Sequence, residues 1–130
     1  MKMEECAVGL AHIGIPTDDI TQTVLFYSEL GFEVALTTTD PGNGAQVVFL
    51  RLGNMMIETY ESEKPAKCYG GIEHIAIDVK DVEAAYDLIC KRALNTLNDE
   101  IHFLPFWENG VRFFTIEGPN KEKVEFCQRL

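Results

Sequence analysis

The sequence predicts an α+β protein built from two copies of one β-α-β-β-β module. The segment Ala11–Ile15 (AHIGI) recurs in the second half of the chain as Glu73–Ile77 (EHIAI). Each copy leads through an aspartate into apolar residues at helical spacing. Alternating apolar and polar residues then follow, interrupted by turns rich in glycine, asparagine and proline. The repeat and these two periodicities together favour paired modules.

The first module is predicted at about residues 8–60. Asp19 is a candidate N-cap, and the helix from Ile20 is expected to end before Gly31. Three strands should follow, at residues 32–37, 47–52 and 55–60. Residues 61–71, which contain Pro65 and two glycines, are typical of a linker.

The second module is predicted at about residues 72–130. Asp81 is its candidate N-cap, and its helix runs from Val82 towards Ala93. Its later strands are expected near residues 96–102, 111–116 and 123–128. A module this short cannot bury a sheet alone, so residues 1–130 are expected to form a single domain, alone or within a dimer.

Composition excludes several functional classes. The 130 residues have a net charge of −10, which repels nucleic acid and anionic membranes. No apolar stretch is long enough to span a bilayer, and the N-terminus, Met1–Glu5, lacks the features of a signal peptide. The four cysteines show no paired spacing. The sequence therefore predicts a cytoplasmic protein that binds a small molecule, with neither nucleic acid nor a membrane as partner.

Two histidines and two glutamates lie at matching places in the repeat. His12 and His74 are expected on the first strand of each module, and Glu58 and Glu125 on the last. A single strand histidine or glutamate is more commonly structural. A carboxylate between apolar neighbours in mid-strand, however, needs a partner, because burying an isolated charge is costly. The matched quartet predicts one shared divalent cation.

At these residues the sequence resembles the vicinal-oxygen-chelate superfamily, and within it short bacterial glyoxalase I (lactoylglutathione lyase). The matching segments are Ala11–Ile15, Phe26–Phe32, Met56–Glu58, Gly71–Ala76, Gly118–Asn120 and Val124–Phe126. The resemblance implies the glyoxalase/bleomycin resistance/dioxygenase fold, in which the two modules form a curved, partly open eight-stranded barrel around one metal. It also implies a homodimer, with ligands from one chain or from two.

The same resemblance implies roles for the quartet. His12, Glu58, His74 and Glu125 match the four metal-ligand positions of the family. A histidine in the first position is typical of the nickel- or cobalt-preferring class, with zinc as the alternative. Glu125 matches the catalytic base, and Glu58 is its symmetric counterpart.

The activity implied first is a glyoxalase-I-like lyase. It would isomerise the hemithioacetal of a 2-oxoaldehyde and a thiol to a 2-hydroxyacyl thioester through a metal-stabilised enediolate. A metal-dependent epimerase of the methylmalonyl-CoA type fits the same motifs. A non-catalytic resistance protein that binds small molecules is a further alternative. A ring-cleaving dioxygenase is disfavoured because Glu58 would occupy the position that oxygen needs.

Two positions depart from the glutathione-dependent pattern. Pro16 and Ser62 stand where the family commonly has a basic residue and an asparagine that hold the thiol substrate. Candidate replacements are Arg51, Lys64, Lys67 and Arg112. The identity of the thiol therefore stays open.

Weaker candidates are interpreted as structural. Five aromatic residues are expected in the core rather than in a substrate pocket: Phe103, Phe106, Trp107, Phe113 and Phe114. His102 is expected at a surface or edge, and Cys68 as a free thiol without a neighbouring base.

Overall fold

The computed structural model describes residues 2–70 and 72–130, without the side chains of Met3 and Cys6. Gly71 of the expected linker and the thiol of Cys6 therefore lie outside the described part. The chain divides between Lys64 and Pro65 into two compact units, called here the first half and the second half.

The first half is a four-stranded mixed sheet with a helix on one face. Its elements are α1 (Met3–Cys6), β1 (Ile13–Thr17), α2 (Ile20–Glu29), β2 (Glu33–Thr39), β3 (Gln46–Leu52) and β4 (Met55–Glu61). The strand order is β1-β4-β3-β2, with β1 parallel to β4 and the remaining neighbours antiparallel.

The second half repeats this topology. Its elements are β5 (His74–Asp78), α3 (Val82–Lys91), β6 (His102–Leu104), β7 (Val111–Glu117) and β8 (Lys123–Arg129). The order is β5-β8-β7-β6, again with one parallel pair, β5 and β8.

The predicted helix caps are confirmed. The Asp19 side chain accepts a hydrogen bond from the Gln22 N–H at 3.0 Å. Asp81 accepts from the N–H groups of Glu83 and Ala84 at 3.1 and 3.0 Å. Each aspartate accepts hydrogen bonds from backbone N–H groups of the first helical turn that have no partner within the helix. The helices therefore begin at the residues that follow the aspartates, Ile20 and Val82.

One face of each sheet packs on the helix of its own half. In the first half, α2 contacts β3 and β4, and Tyr27, Leu50 and Thr59 are completely buried. In the second half, Val82 of α3 and Phe114 of β7 are likewise completely buried. The opposite face of each sheet bears the candidate ligands.

Two expectations about strands were wrong. Residues 96–101 are not a strand, because the Asn95 carboxamide closes a turn there: it accepts from the Asp99 N–H at 3.1 Å and donates to the Asp99 carbonyl at 3.0 Å. Only His102–Leu104 pairs, as β6. His12 lies just before β1 rather than on it.

Two further features concern membrane spans and cysteine pairing. No helix of residues 2–70 and 72–130 is long and apolar enough to cross a membrane. The described cysteine side chains, Cys68, Cys90 and Cys127, are free thiols.

Candidate metal site

The first half brings His12 and Glu58 together. Glu58 of β4 is the register partner of Gly14 on the parallel strand β1. His12 precedes Gly14 by two residues and therefore shares its face. His12 Nε2 lies 3.7 Å from Glu58 Oε1, with both side chains partly exposed. The imidazole and the Phe49 ring are perpendicular to each other, with 5.7 Å between their centroids.

The second half brings His74 and Glu125 together in the same way. Glu125 of β8 is the register partner of Ala76 on β5, two residues after His74. His74 Nε2 lies 3.9 Å from Glu125 Oε1. Burial raises the pKa of Glu125 above its ordinary value; attraction by His74 offsets this only in part, and repulsion by Glu73 adds to it. The register of the two strand pairs thus makes the same histidine–glutamate arrangement twice.

A further carboxylate orients His74. Glu73 Oε1 lies 3.2 Å from His74 Nδ1, and Lys123 Nζ lies 3.6 Å from the same oxygen. Because an ionised carboxylate only accepts hydrogen bonds, this contact places the proton on Nδ1 and leaves Nε2 free to bind a cation. Lys123 is also held over the Tyr69 ring, 4.2 Å from its centroid.

Each pair has donors that suit a divalent cation. Imidazole nitrogen and carboxylate oxygen are ligands for zinc, nickel and cobalt. Separations of 3.7 and 3.9 Å are shorter than two metal–ligand bonds end to end, about 4.2 Å. Among the residues the structure describes, no group of three or more His, Cys, Asp or Glu side chains is arranged to hold a metal ion. Each half therefore brings together two candidate ligands, one imidazole and one carboxylate.

The candidate anion-binding residues have different surroundings. Arg51 is exposed and lies on the Glu58 face of its sheet, since it follows Phe49, the register partner of Glu58, by two residues. Arg112 instead lies on the helix-facing side, and its guanidinium contacts Glu83 at 2.9 Å. Of these two, Arg51 is the better placed to hold a substrate anion.

The aromatic residues divide into two groups. Phe114 is buried against Tyr86 and Phe126, as expected for the core. The expectation of core packing was wrong for Phe103, Phe106 and Trp107, whose exposed fractions are 56%, 56% and 66%. These three lie in and after the short strand β6, which is at the edge of its sheet and pairs with β7.

Sequence reasoning missed two contacts. One is the contact of Glu73 with the adjacent His74, for which the only signal was an acid beside a candidate ligand. The other joins His102 Nε2 to Asp99 Oδ1 at 2.7 Å. His102 is exposed on edge strand β6, as the sequence predicted, but the spacing of Asp99 and His102 alone did not indicate a contact.

Comparison with known proteins agrees with the repeat and its topology. Residues 11–114 match the family model of the Glyoxalase/Bleomycin resistance protein/Dioxygenase superfamily. The chain belongs to this superfamily, and the fold class and family predicted from the sequence are confirmed.

Three related proteins illustrate the likeness. The chain is 35% identical to the uncharacterized protein YwbC of Bacillus subtilis (strain 168), over 91% of this chain and 95% of that protein. It is 30% identical to the mitochondrial methylmalonyl-CoA epimerase of Mus musculus, over 70% of this chain but only 57% of the epimerase. A crystal structure of a glyoxalase family protein from Enterococcus faecalis superposes with a TM-score of 0.73 at 21% identity, covering 92% of this chain and 96% of that one.

Proposed function

We propose that the protein is a metal-dependent enzyme that moves a proton at a carbon beside a carbonyl group in a thiol-linked substrate. The observation that supports this most is the duplicated histidine–glutamate pair, with imidazole and carboxylate 3.7 Å apart in one half and 3.9 Å apart in the other. The four residues would hold one divalent cation as His12, Glu58, His74 and Glu125. Superfamily membership supports the proposal.

Each participant has a distinct task in the proposed mechanism. A divalent cation held by these four residues would supply Lewis-acid polarisation of the carbonyl oxygen, which would acidify the neighbouring C–H. In the lyase reaction, Glu125 would take the proton on a carboxylate oxygen and return it to the adjacent carbon. In the epimerase reaction, Glu125 would take the proton from one face of the carbon and Glu58 would supply a proton to the opposite face. Positioned acid–base catalysis of this kind contributes about 10² to 10⁴-fold. Glu58 occupies the matching position in the other half and is the second candidate base.

Two reactions use this chemistry. The first is the glyoxalase-I-like lyase reaction, which moves the proton between adjacent carbons of a hemithioacetal to give a 2-hydroxyacyl thioester. The second is epimerisation of a 2-substituted malonyl thioester, in which a proton is removed from one face of the carbon and a proton is supplied to the other. The 30% identity to the mouse methylmalonyl-CoA epimerase is the observation that supports including the second reaction.

The test loads purified protein separately with nickel, cobalt, zinc and manganese. Thioester formation from the methylglyoxal adducts of glutathione and pantetheine measures the lyase. Solvent deuterium incorporation into methylmalonyl-CoA measures the epimerase. Turnover in one assay identifies the reaction, and inactivity in both with every metal rejects the proposal.

Glu125→Gln tests the assigned base within the active reaction. The amide keeps an oxygen ligand but cannot take a proton, so the cation content should be largely retained while turnover falls by about 10² or more. Glu100→Gln is the matched control, because Glu100 is exposed and lies in the same half. If Glu125→Gln kept full activity, Glu125 would not be the base, and Glu58 would be the remaining candidate.

A further inference from the structure

An aspartate–histidine pair lies in the second half, outside the proposed metal ligands. Asp99 Oδ1 accepts a hydrogen bond from His102 Nε2–H at 2.7 Å, and Asp99 Oδ2 accepts one from the Thr115 N–H at 2.9 Å. With its proton fixed on Nε2, the neutral imidazole has Nδ1 as a hydrogen-bond acceptor. No donor to Nδ1 occurs among the residues described.

Several hydrogen bonds fix the position of Asp99. Besides its two carboxylate contacts, its carbonyl accepts from the Tyr86 hydroxyl at 2.8 Å and from the Asn95 carboxamide at 3.0 Å. Its N–H donates to Asn95 Oδ1 at 3.1 Å. This network fixes the carboxylate, and the carboxylate in turn fixes the orientation and tautomer of His102.

The imidazole of His102 lies on the same sheet face as Glu125. Thr115 is the register partner of Glu125, and Phe113, two residues earlier on β7, is the partner of His102. The His102 and Phe113 rings lie 5.5 Å apart between centroids, so the imidazole is on the Phe113 and Glu125 face. His102 is nevertheless exposed, with 43% of its side chain accessible.

Within the described residues of the first half, no equivalent pair occurs at the corresponding register position. Thr38 occupies the register position that corresponds to His102: it pairs with Val47, two residues before Phe49, the partner of Glu58. The histidine–glutamate pair is therefore duplicated in the two halves. The aspartate–histidine pair is found in the second half and has no counterpart at the matching position of the first.

We propose that His102, oriented by Asp99, is a substrate-binding residue whose Nδ1 accepts a hydrogen bond from an amide N–H of the thiol carrier. The proposal rests on the proposed function and names its substrate class: thiols with a peptide-like amide near the sulfur. Glutathione and the pantetheine arm of coenzyme A both have an amide N–H three bonds from sulfur. Recognition of an anion is disfavoured, because the Asp99 carboxylate would oppose it.

The spacing suits such a substrate. His102 lies on β6 and Glu125 on β8, the second strand along the sheet, and the two residues are also offset by two positions in the strand direction. Their Cα atoms are therefore about 12 Å apart. Four bonds in the hemithioacetal, and five in the malonyl thioester, separate the carbon that loses its proton from the amide nitrogen, about 5 to 6 Å when extended. Contacts of about 3 Å at each end extend this span to roughly the same 12 Å. One extended substrate can therefore reach both side chains.

The kinetic test compares substrates with and without the amide. For the lyase these are the methylglyoxal adducts of pantetheine and of 2-mercaptoethanol; for the epimerase they are methylmalonyl-CoA and the ethyl thioester of methylmalonate. His102→Phe keeps an aromatic ring against Phe113 but removes the acceptor. We expect kcat/KM for the amide-bearing substrate to fall about 5- to 10-fold through KM, as for one lost hydrogen bond. The amide-free substrate should be unaffected.

Asp99→Asn provides an independent variant. Its amide can donate to Nε2 and so move the imidazole proton to Nδ1, and the same selective loss is expected. Equal losses on both substrates would indicate a purely structural role and overturn the proposal, as would unchanged kcat/KM for the amide-bearing substrate in His102→Phe.

A binding measurement separates this inference from the proposed reaction. Pantetheine and glutathione are added to the metal-free protein, and the imidazole ¹⁵N resonances of His102 are followed by NMR. A selective change at Nδ1 supports the contact, even if no substrate is turned over and the proposed reaction fails. No change at Nδ1 with either thiol overturns the contact, whatever the activity.

Discussion

The two candidate histidines have different immediate surroundings. His74 lies between Glu73 and Glu125, with a carboxylate oxygen 3.2 Å from Nδ1 and another 3.9 Å from Nε2. His12 contacts Glu58 through Nε2 and lies perpendicular to the Phe49 ring. A carboxylate on the non-ligating nitrogen of a metal-binding histidine fixes its tautomer and increases its basicity. The second pair is therefore the better preorganised of the two.

Removing the Glu73 carboxylate should weaken cation binding. We expect Glu73→Ala to lower the affinity for nickel or zinc about 10-fold, within the range for loss of such an orienting partner. Titration in competition with a chelator measures the change, and Glu100→Ala controls for the loss of one negative charge. Equal affinities for the wild type and Glu73→Ala would show that Glu73 does not orient the ligand.

Asp99 should make stability depend on pH in the acid range. Burial raises the pKa of its carboxyl, but hydrogen bonds from His102 and from the N–H groups of Thr115 and Glu100 outweigh this and lower it overall. A lowered pKa means that the folded state prefers the ionised form. The resulting stabilisation is present above the ordinary pKa of aspartate and is lost as the pH falls through the lowered value.

The expected consequence concerns Asp99→Asn. At neutral pH the variant should be less stable by about 1 to 2 kcal/mol, because a charge-assisted hydrogen bond is lost. Urea unfolding at a series of pH values should show this difference shrinking on acidification below pH 4. A difference independent of pH would mean that the negative charge of Asp99 contributes nothing.

Local sequence could indicate some of these residues but not others. The repeat identified His12, His74, Glu58 and Glu125, because it placed the same residue types on corresponding strands. The contact between Asp99 and His102 depends on a turn closed by Asn95 and on the place where β6 joins β7. Neither feature has a periodic signal, so this contact could be found only in the folded chain.

At the level of whole elements, sequence prediction succeeded where start and stop signals were strong. Asp19 and Asp81 cap their helices as predicted, because a short acceptor side chain before an apolar stripe is a local signal. The strand predicted near residues 96–102 was wrong over residues 96–101, because side-chain hydrogen bonds from Asn95 hold a turn there.

The connection between β6 and β7 requires a glycine. Gly110 has φ +95°, and a Cβ there would overlap the Phe103 ring and lie 3.2 Å from the Leu104 carbonyl oxygen. We expect Gly110→Ala to destabilise the protein by about 2 to 4 kcal/mol, since strain and steric overlap add. Chemical denaturation measures the loss.

Gly44→Ala is the matched control for that prediction. Gly44 also has a positive φ, +72°, but open space where a Cβ would stand. Only the backbone penalty of about 1 kcal/mol is expected there. If the two variants lost the same stability, the overlap with Phe103 would be of no consequence.

At the scale of the whole molecule, duplication explains the distribution of the candidate ligands. Each half folds as the same mixed sheet, and a parallel pair of strands brings one imidazole next to one carboxylate on the face away from the helix. Two donors are too few for a closed divalent site, which usually has four protein ligands. The proposed function therefore requires the two pairs to act together, within one chain or across two.

This requirement fixes the stoichiometry of cation binding. We expect one nickel or zinc ion per chain, whether the four ligands come from one chain or are shared symmetrically between two. His12→Ala and His74→Ala, which alter different halves, should each weaken binding by at least 10-fold, because each removes a ligand from the same site. Elemental analysis after dialysis gives the stoichiometry, and titration gives the affinity. Two ions per chain, with each substitution abolishing only one of them, would mean that the pairs bind separately, and the shared metal centre would then be wrong.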